Sequence, residues 1–122
     1  MKTNRQKIGQ LGEKKAQQYL KRRGYRILEC NFRTKGGELD IIALDGECLV
    51  FVEVKTRTNM EYGSPGEAVS YYKKVHMTSA AKYYLARHGN DRECRFDVIE
   101  VMLSSICFLS IARINHLKNV IQ

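Results

Sequence analysis

Apolar residues recur at Ile8, Leu11, Ala16, Tyr19 and Leu20 with the spacing of one helical face, which predicts a first helix from about Arg5 to Arg23. Arg22 and Arg23 suit the negative end of its dipole, and Gly24 offers a left-handed stop. Tyr25 to Arg33 carries aromatic and branched residues at strand density, and Gly36-Gly37 then breaks the chain. Two stronger strands follow, Glu38 to Leu44 and Cys48 to Thr56, separated by Asp45-Gly46, a dipeptide suited to a tight hairpin turn. After a loop from Thr58 to Gly63, Ser64, Pro65 and Glu67 provide a cap, a first-turn proline and a capping-box carboxylate for a second helix. Val69, Tyr72, Val75, His76, Ala80, Tyr83 and Tyr84 form its expected inner face, and Gly89 closes it. Cys94 to Leu103 and Ile106 to Ile114 read as strands, although Ala112 to Val120 is also compatible with helix. The order α-β-β-β-α-β-β predicts an α/β domain, with a mixed five-stranded sheet flanked by helices.

The chain of 122 residues fits one domain spanning 1–122, and its single proline, Pro65, argues against a proline-rich linker. Hydrophobic residues at 43% exclude a wholly disordered chain. Lysine and arginine outnumber aspartate and glutamate 21 to 13, and the net charge of +8 favours a polyanionic partner, most simply nucleic acid. Cys30, Cys48, Cys94 and Cys107 lack zinc or redox spacing and read as reduced, mostly buried thiols; His76, His88 and His116 form no ligand pair. The N-terminal segment is too basic for a secretion signal and no stretch is apolar enough to span a bilayer, so a cytoplasmic protein away from membranes is expected.

The hairpin carries the chemistry. With Asp45-Gly46 as the loop, Leu44 pairs with Glu47 and Asp40 with Phe51. Alternation then puts Asp40, Phe51, Glu53 and Lys55 on one face and Val50, Val52 and Val54 on the other. Asp40 and Glu53 become diagonal neighbours at roughly 7–8 Å, within reach of a common cation. Two carboxylates and a lysine among apolar strand positions suit a hard divalent ion facing a phosphodiester. Asp40, Glu53 and the carbonyl of Val54 would hold Mg²⁺ or Mn²⁺, and Lys55 would orient water or stabilise negative charge. The plainer alternative is a wet strand end with a Glu53–Lys55 salt bridge.

These residues carry a resemblance. Leu39-Asp40 followed by Glu53-Val54-Lys55 resembles the PD-(D/E)xK pattern of restriction-endonuclease-like nucleases, archaeal Holliday-junction resolvases especially. Gly37-Glu38-Leu39-Asp40-Ile41-Ile42-Ala43 and Phe51-Val52-Glu53-Val54-Lys55-Thr56-Arg57 resemble the small bacterial YraN family, uncharacterised protein family 0102. That likeness continues through Arg95-Phe96-Asp97-Val98 to His116-Leu117-Lys118-Asn119. It implies a restriction-endonuclease-like three-layer core, with Asp40 and Glu53 as metal ligands and Lys55 as catalytic lysine. Glu13 matches the first-helix glutamate of the resolvases. Leu39 stands where the nominal pattern has proline. A two-fold homodimer is suggested by the resolvase resemblance alone.

Arg33, Lys35, Arg57 and Lys74 are the further candidates for nucleic-acid contact, each competing with an ordinary solvated surface role. Lys73, beside Lys74, reads as part of a solvated lysine edge. The expectation is a metal-dependent nuclease acting on DNA, branched or structured DNA included. Its rivals are a nuclease-fold binding protein with little or no turnover and an adaptor in recombination or repair.

Overall fold

The computed structural model describes residues 3–58, 70–89, 91–104 and 111–121. Its elements are α1 (Asn4–Arg22), β1 (Arg26–Thr34), β2 (Gly37–Asp45), β3 (Cys48–Thr58), α2 (Tyr71–His88), β4 (Cys94–Leu103) and β5 (Ile111–Leu117). The five strands lie in the order β1-β2-β3-β4-β5. The β3–β4 pair is parallel and the other three pairs are antiparallel. The mixed sheet and element order match the sequence expectation.

Thr3 starts α1 through a reciprocal capping box with Gln6, and Gly24, at φ +86°, turns the chain out of it. Gly12, Ala16 and Leu20 form its buried stripe. Small residues there let the helix approach the sheet closely, and a Cβ on Gly12 would collide with the Thr56 side chain. Ser70 caps α2 by accepting from the Lys73 N–H at 3.2 Å. The inner face of α2 is Met77, Ala80, Ala81 and Tyr84.

The helices cover opposite sides of the sheet. Ala16 and Leu20 pack with Ile41, Ala43, Val50, Val52, Ile99 and Val101. Met77, Ala80 and Tyr84 pack with Ile42, Leu49, Phe51 and Val98. Burying each large aliphatic or aromatic side chain contributes about 1.5–3 kcal/mol. Two apolar layers on one sheet therefore fix which side every strand residue takes.

Several expectations are corrected. Asp45 pairs with Cys48, leaving Gly46 and Glu47 in the turn, so Ile42 rather than Asp40 stands opposite Phe51. The first central position carries the positive φ, +60° at Gly46, which shifts the loop one residue along. The first residue of α2 is Tyr71, because Ser70 is its extended cap; the Ser64-Pro65-Glu67 segment lies outside the described residues. Tyr72, Val75 and Tyr83 are exposed because packing of Met77, Ala80, Ala81 and Tyr84 on the sheet sets a different inner face. The last strand begins at Ile111; residues 106–110 and Cys107 lie outside the described residues. Cys94 is exposed and Cys30 and Cys48 are half-buried, so these thiols are not core residues.

Candidate metal and nucleic-acid site

The site forms where the sheet loses its regularity. The β2–β3 ladder ends at Ile41–Val52. Continued, it would set Leu39 opposite Val54, but the Val54 N–H instead donates to Asp40 Oδ2 at 2.7 Å. Ile41 packs on the α1 side and Leu39 on the α2 side. A regular strand would keep both on one face, so β2 changes phase at Asp40. On β1, between the Cys30–Ile41 and Phe32–Leu39 pairs, Asn31 adopts a left-handed φ of +54°. Asparagine tolerates that conformation better than most residues. An amide and carbonyl of one strand residue point to the same side, so the carbonyl of Val54 also faces the gap occupied by the Asp40 carboxylate.

Asp40, Glu53, Val54 and Glu13 line one cavity of about 630 Å³, together with Arg5 and Arg33. Burial and the charge of Glu53 push the Asp40 carboxyl up to about 7, against the opposing Val54 N–H. Glu13, from α1, is also raised: burial dominates, a hydrogen bond with Asp40 opposes it, and the charge of Glu38 adds to it. Glu53 is buried, and Lys73 Nζ lies 2.8 Å from its Oε1. Burial alone would lower the Lys73 ammonium, but its hydrogen bond and attraction to Glu53, and the charges of Asp40 and Glu38, raise it. The arrangement is a carboxylate cluster held by one ammonium and one main-chain amide.

Lys55 is half-buried and lies outside the cavity lining. In register it stands beside Glu100, which accepts from Asn115 at 3.0 Å and approaches Arg57 at 4.0 Å. The Glu53–Lys55 bridge of the plainer alternative is absent among the described residues, and Lys73 takes that place on Glu53. Arg33 pairs with Glu38 at 3.4 Å on the exposed rim. Lys35 lines a smaller adjoining cavity of about 300 Å³ with Arg33, Lys73 and His76. Arg57 is engaged toward β4, and Lys74 lines none of these cavities.

Lys73 is the site residue that the sequence reading missed. It lies one turn before Met77 and extends the stripe Met77, Ala80, Ala81 and Tyr84, a signal that becomes visible once Ser70 is taken as the cap. The sequence reading also assigned no role to a second polar cluster. Asp97, fully buried, accepts from Arg95 Nε at 3.0 Å, from the Asn119 N–H at 3.0 Å, and meets His116 Nε2 at 2.8 Å. Burial opposes ionisation of Asp97, but these hydrogen bonds outweigh it and hold the carboxyl below its ordinary range. Arg95 also reaches Asp45 and the Tyr25 hydroxyl.

Among the described residues, no three or more His, Cys, Asp or Glu side chains form a ready-made metal cage. The donor set that faces the gap is two carboxylates and a carbonyl, all oxygen, which suits a hard ion that keeps several waters. Repulsion between Asp40 and Glu53 would be relieved by such an ion. No helix among the described residues is long and apolar enough to cross a membrane.

Together these features define an α/β domain of restriction-endonuclease-like architecture, with an acidic cluster where an antiparallel hairpin splits. The chain belongs to Uncharacterised protein family UPF0102, whose profile matches residues 12–101. A UPF0102 protein of Alkaliphilus oremlandii (strain OhILAs) is 47% identical, over 93% of this chain and 96% of its own. Another from Clostridioides difficile (strain 630) is 44% identical over 95% and 97%, and one from Geobacter metallireducens 42% over 100% and 98%.

Proposed function

We propose that this protein is a divalent-metal-dependent phosphodiesterase acting on DNA, with branched or otherwise structured DNA as its substrate class. The observation that carries this reading is the convergence of Asp40 and Glu53, with Val54, in an open cavity where the β2–β3 ladder ends. Asp40, Glu53 and the Val54 carbonyl would hold Mg²⁺ or Mn²⁺, and Glu13 adds a carboxyl from α1 beside Asp40. A divalent ion there supplies Lewis acidity toward water and neutralises charge on the phosphate.

The chain's own groups do the rest. The Val54 N–H fixes the Asp40 carboxylate, leaving its second oxygen for another partner. Alternation along β3 places Lys55 on the same side as Glu53, where a cation stabilises charge developing on a phosphate oxygen. Arg5 and Arg33 on the cavity wall attract the backbone of an incoming strand. Arg33 and Lys35 continue that positive surface into the adjoining cavity. A homodimer would present two such sites to a two-fold branched substrate.

The Lys73–Glu53 bridge favours a second reading, a binding protein that keeps the fold without turnover, because an ammonium already neutralises one ligand. One experiment separates the two. The protein is incubated with linear duplex, single-stranded, flap and four-way-junction DNA, with and without Mg²⁺ or Mn²⁺, beside Asp40→Asn, Glu53→Gln and Lys55→Ala. Metal-dependent products that all three variants lose support the phosphodiesterase. Tight binding without products supports the second reading, and products formed equally by wild type and variants remove the site assignment.

A further inference from the structure

We propose a second binding site, for a backbone phosphate of nucleic acid, in the concavity between the C-terminal half of α1 and β5. It rests on the nucleic-acid reading above and uses none of the residues of the carboxylate cavity. Lys15, Gln18, Tyr19, Arg22, Arg23 and Ile114 enclose about 590 Å³. Lys15, Gln18, Tyr19 and Arg22 follow one another at helical spacing on the flank of α1 toward β5, whereas Gly9 and Glu13 line the carboxylate cavity. The two sites therefore lie on different flanks of one helix.

Charge identifies the ligand class. Three cations share this concavity, no carboxylate lines it, and among the described residues none of Lys15, Arg22 and Arg23 has an ion pair. Like charges gathered in a concavity repel one another and focus a positive potential that an anion relieves. Guanidinium forks match phosphate oxygens in geometry as well as in sign.

The concavity is also anchored to the core. The Tyr19 hydroxyl lies 3.2 Å from His116 Nδ1, and the rings meet edge to face at 5.6 Å. His116 is nearly buried and is held through Nε2 by the fully buried Asp97. The Arg23 guanidinium stacks over the Tyr19 ring at 4.8 Å. A chain of contacts thus runs from Asp97 through His116 and Tyr19 to Arg23 and reduces the freedom that Arg23 would lose on binding. From Glu13 to Arg22 the helix rises about 14 Å, well within the ~34 Å of one duplex turn. The axial separation of the two sites exceeds the reach of a mononucleotide and lies within that of a segment of several nucleotides.

The test measures binding of a labelled 20-base-pair DNA duplex to the full chain in EDTA, across a KCl series, with fold checked by circular dichroism. Arg22→Gln/Arg23→Gln is compared with the charge-matched Lys7→Gln/Lys14→Gln, whose lysines are exposed on α1 outside the concavity. We expect the arginine pair to lose at least tenfold in affinity and about two units of salt slope. The lysine pair should lose about threefold or less. Equal losses would make the effect one of net charge and overturn the site, as would unchanged binding in both or no duplex binding by wild type. A parallel titration with inorganic phosphate follows the Tyr19 and His116 NMR signals. If phosphate alone shifts them while duplex affinity is the same in both variants, the ligand is free phosphate and the backbone assignment is overturned. Because no divalent ion is present, the outcome is independent of whether Asp40 and Glu53 support cleavage.

Discussion

Lys73 Nζ and Glu53 Oε1 lie 2.8 Å apart, joining the first turn of α2 to the most buried carboxylate of the candidate site. An ammonium there competes with any divalent ion that needs the same oxygen, since both are drawn by the same charge. Lys73→Met should therefore bind Mn²⁺ about tenfold more tightly than wild type at pH 8 by calorimetry. Unchanged affinity, with Asp40→Asn still losing the metal, would show that Glu53 is not a ligand.

Asp40 predicts a pH dependence of the metal-free fold. Its carboxyl is raised to about 7 from an ordinary 3.8, so between those values the folded chain keeps a proton that the unfolded chain has released. Stability should fall as pH rises through that window, by on the order of 4 kcal/mol from this group, and stay low above it. Asp40→Asn removes the ionisation. Its melting temperature in EDTA should exceed that of wild type by about 15 °C at pH 8 and match it near pH 4. Parallel pH profiles for the two proteins would contradict the assignment.

Asp97 acts in the opposite sense. Because its folded value is depressed, the stability it contributes is present above the ordinary carboxylate range and is lost as pH falls through the folded value. Asp97→Asn leaves Arg95 and His116 without their shared anion and should cost about 3–5 kcal/mol in urea denaturation at pH 7. A loss below 1 kcal/mol would mean that Asp45 and Tyr25 suffice to hold Arg95.

Gly37 sits against the backbone of α2, where a Cβ would meet the carbonyl of His76. Backbone cannot step aside as a flexible side chain can. Gly37→Ala should destabilise by about 1–3 kcal/mol in thermal or urea melts, while Gly9→Ala, in open space within α1, should stabilise by about 0.5–1 kcal/mol.

How much of this was legible in the sequence depends on what each inference required. Asp40 and Glu53 do line one cavity, as alternation along the hairpin leads one to expect, but the observed loop is Gly46-Glu47 and Asp40 reaches the cavity through the break in β2 rather than through a regular pairing. The helix α1 and the hairpin were readable because their period and stop residues agree. The start of α2 was misread: Ser64-Pro65-Glu67 is locally a better cap than Ser70, and the tertiary packing of Met77 and Tyr84 sets the helix phase instead. That error concealed Lys73 behind Lys74. The phase change of β2 at Asp40 and the left-handed Asn31 had no local signature, since both arise from strand pairing. The partners of Asp97 lie on separate elements, so the sequence held its members without showing their contact.

The left-handed Asn31 beside Asp40 sets a limit for anyone engineering this protein toward robustness. Regularising the two central hairpin strands would satisfy every main-chain group with a neighbour and give a tougher scaffold. It would also return Asp40 to ordinary alternation and withdraw its oxygen from Val54, so the sturdier protein would have closed the gap at which the candidate site forms.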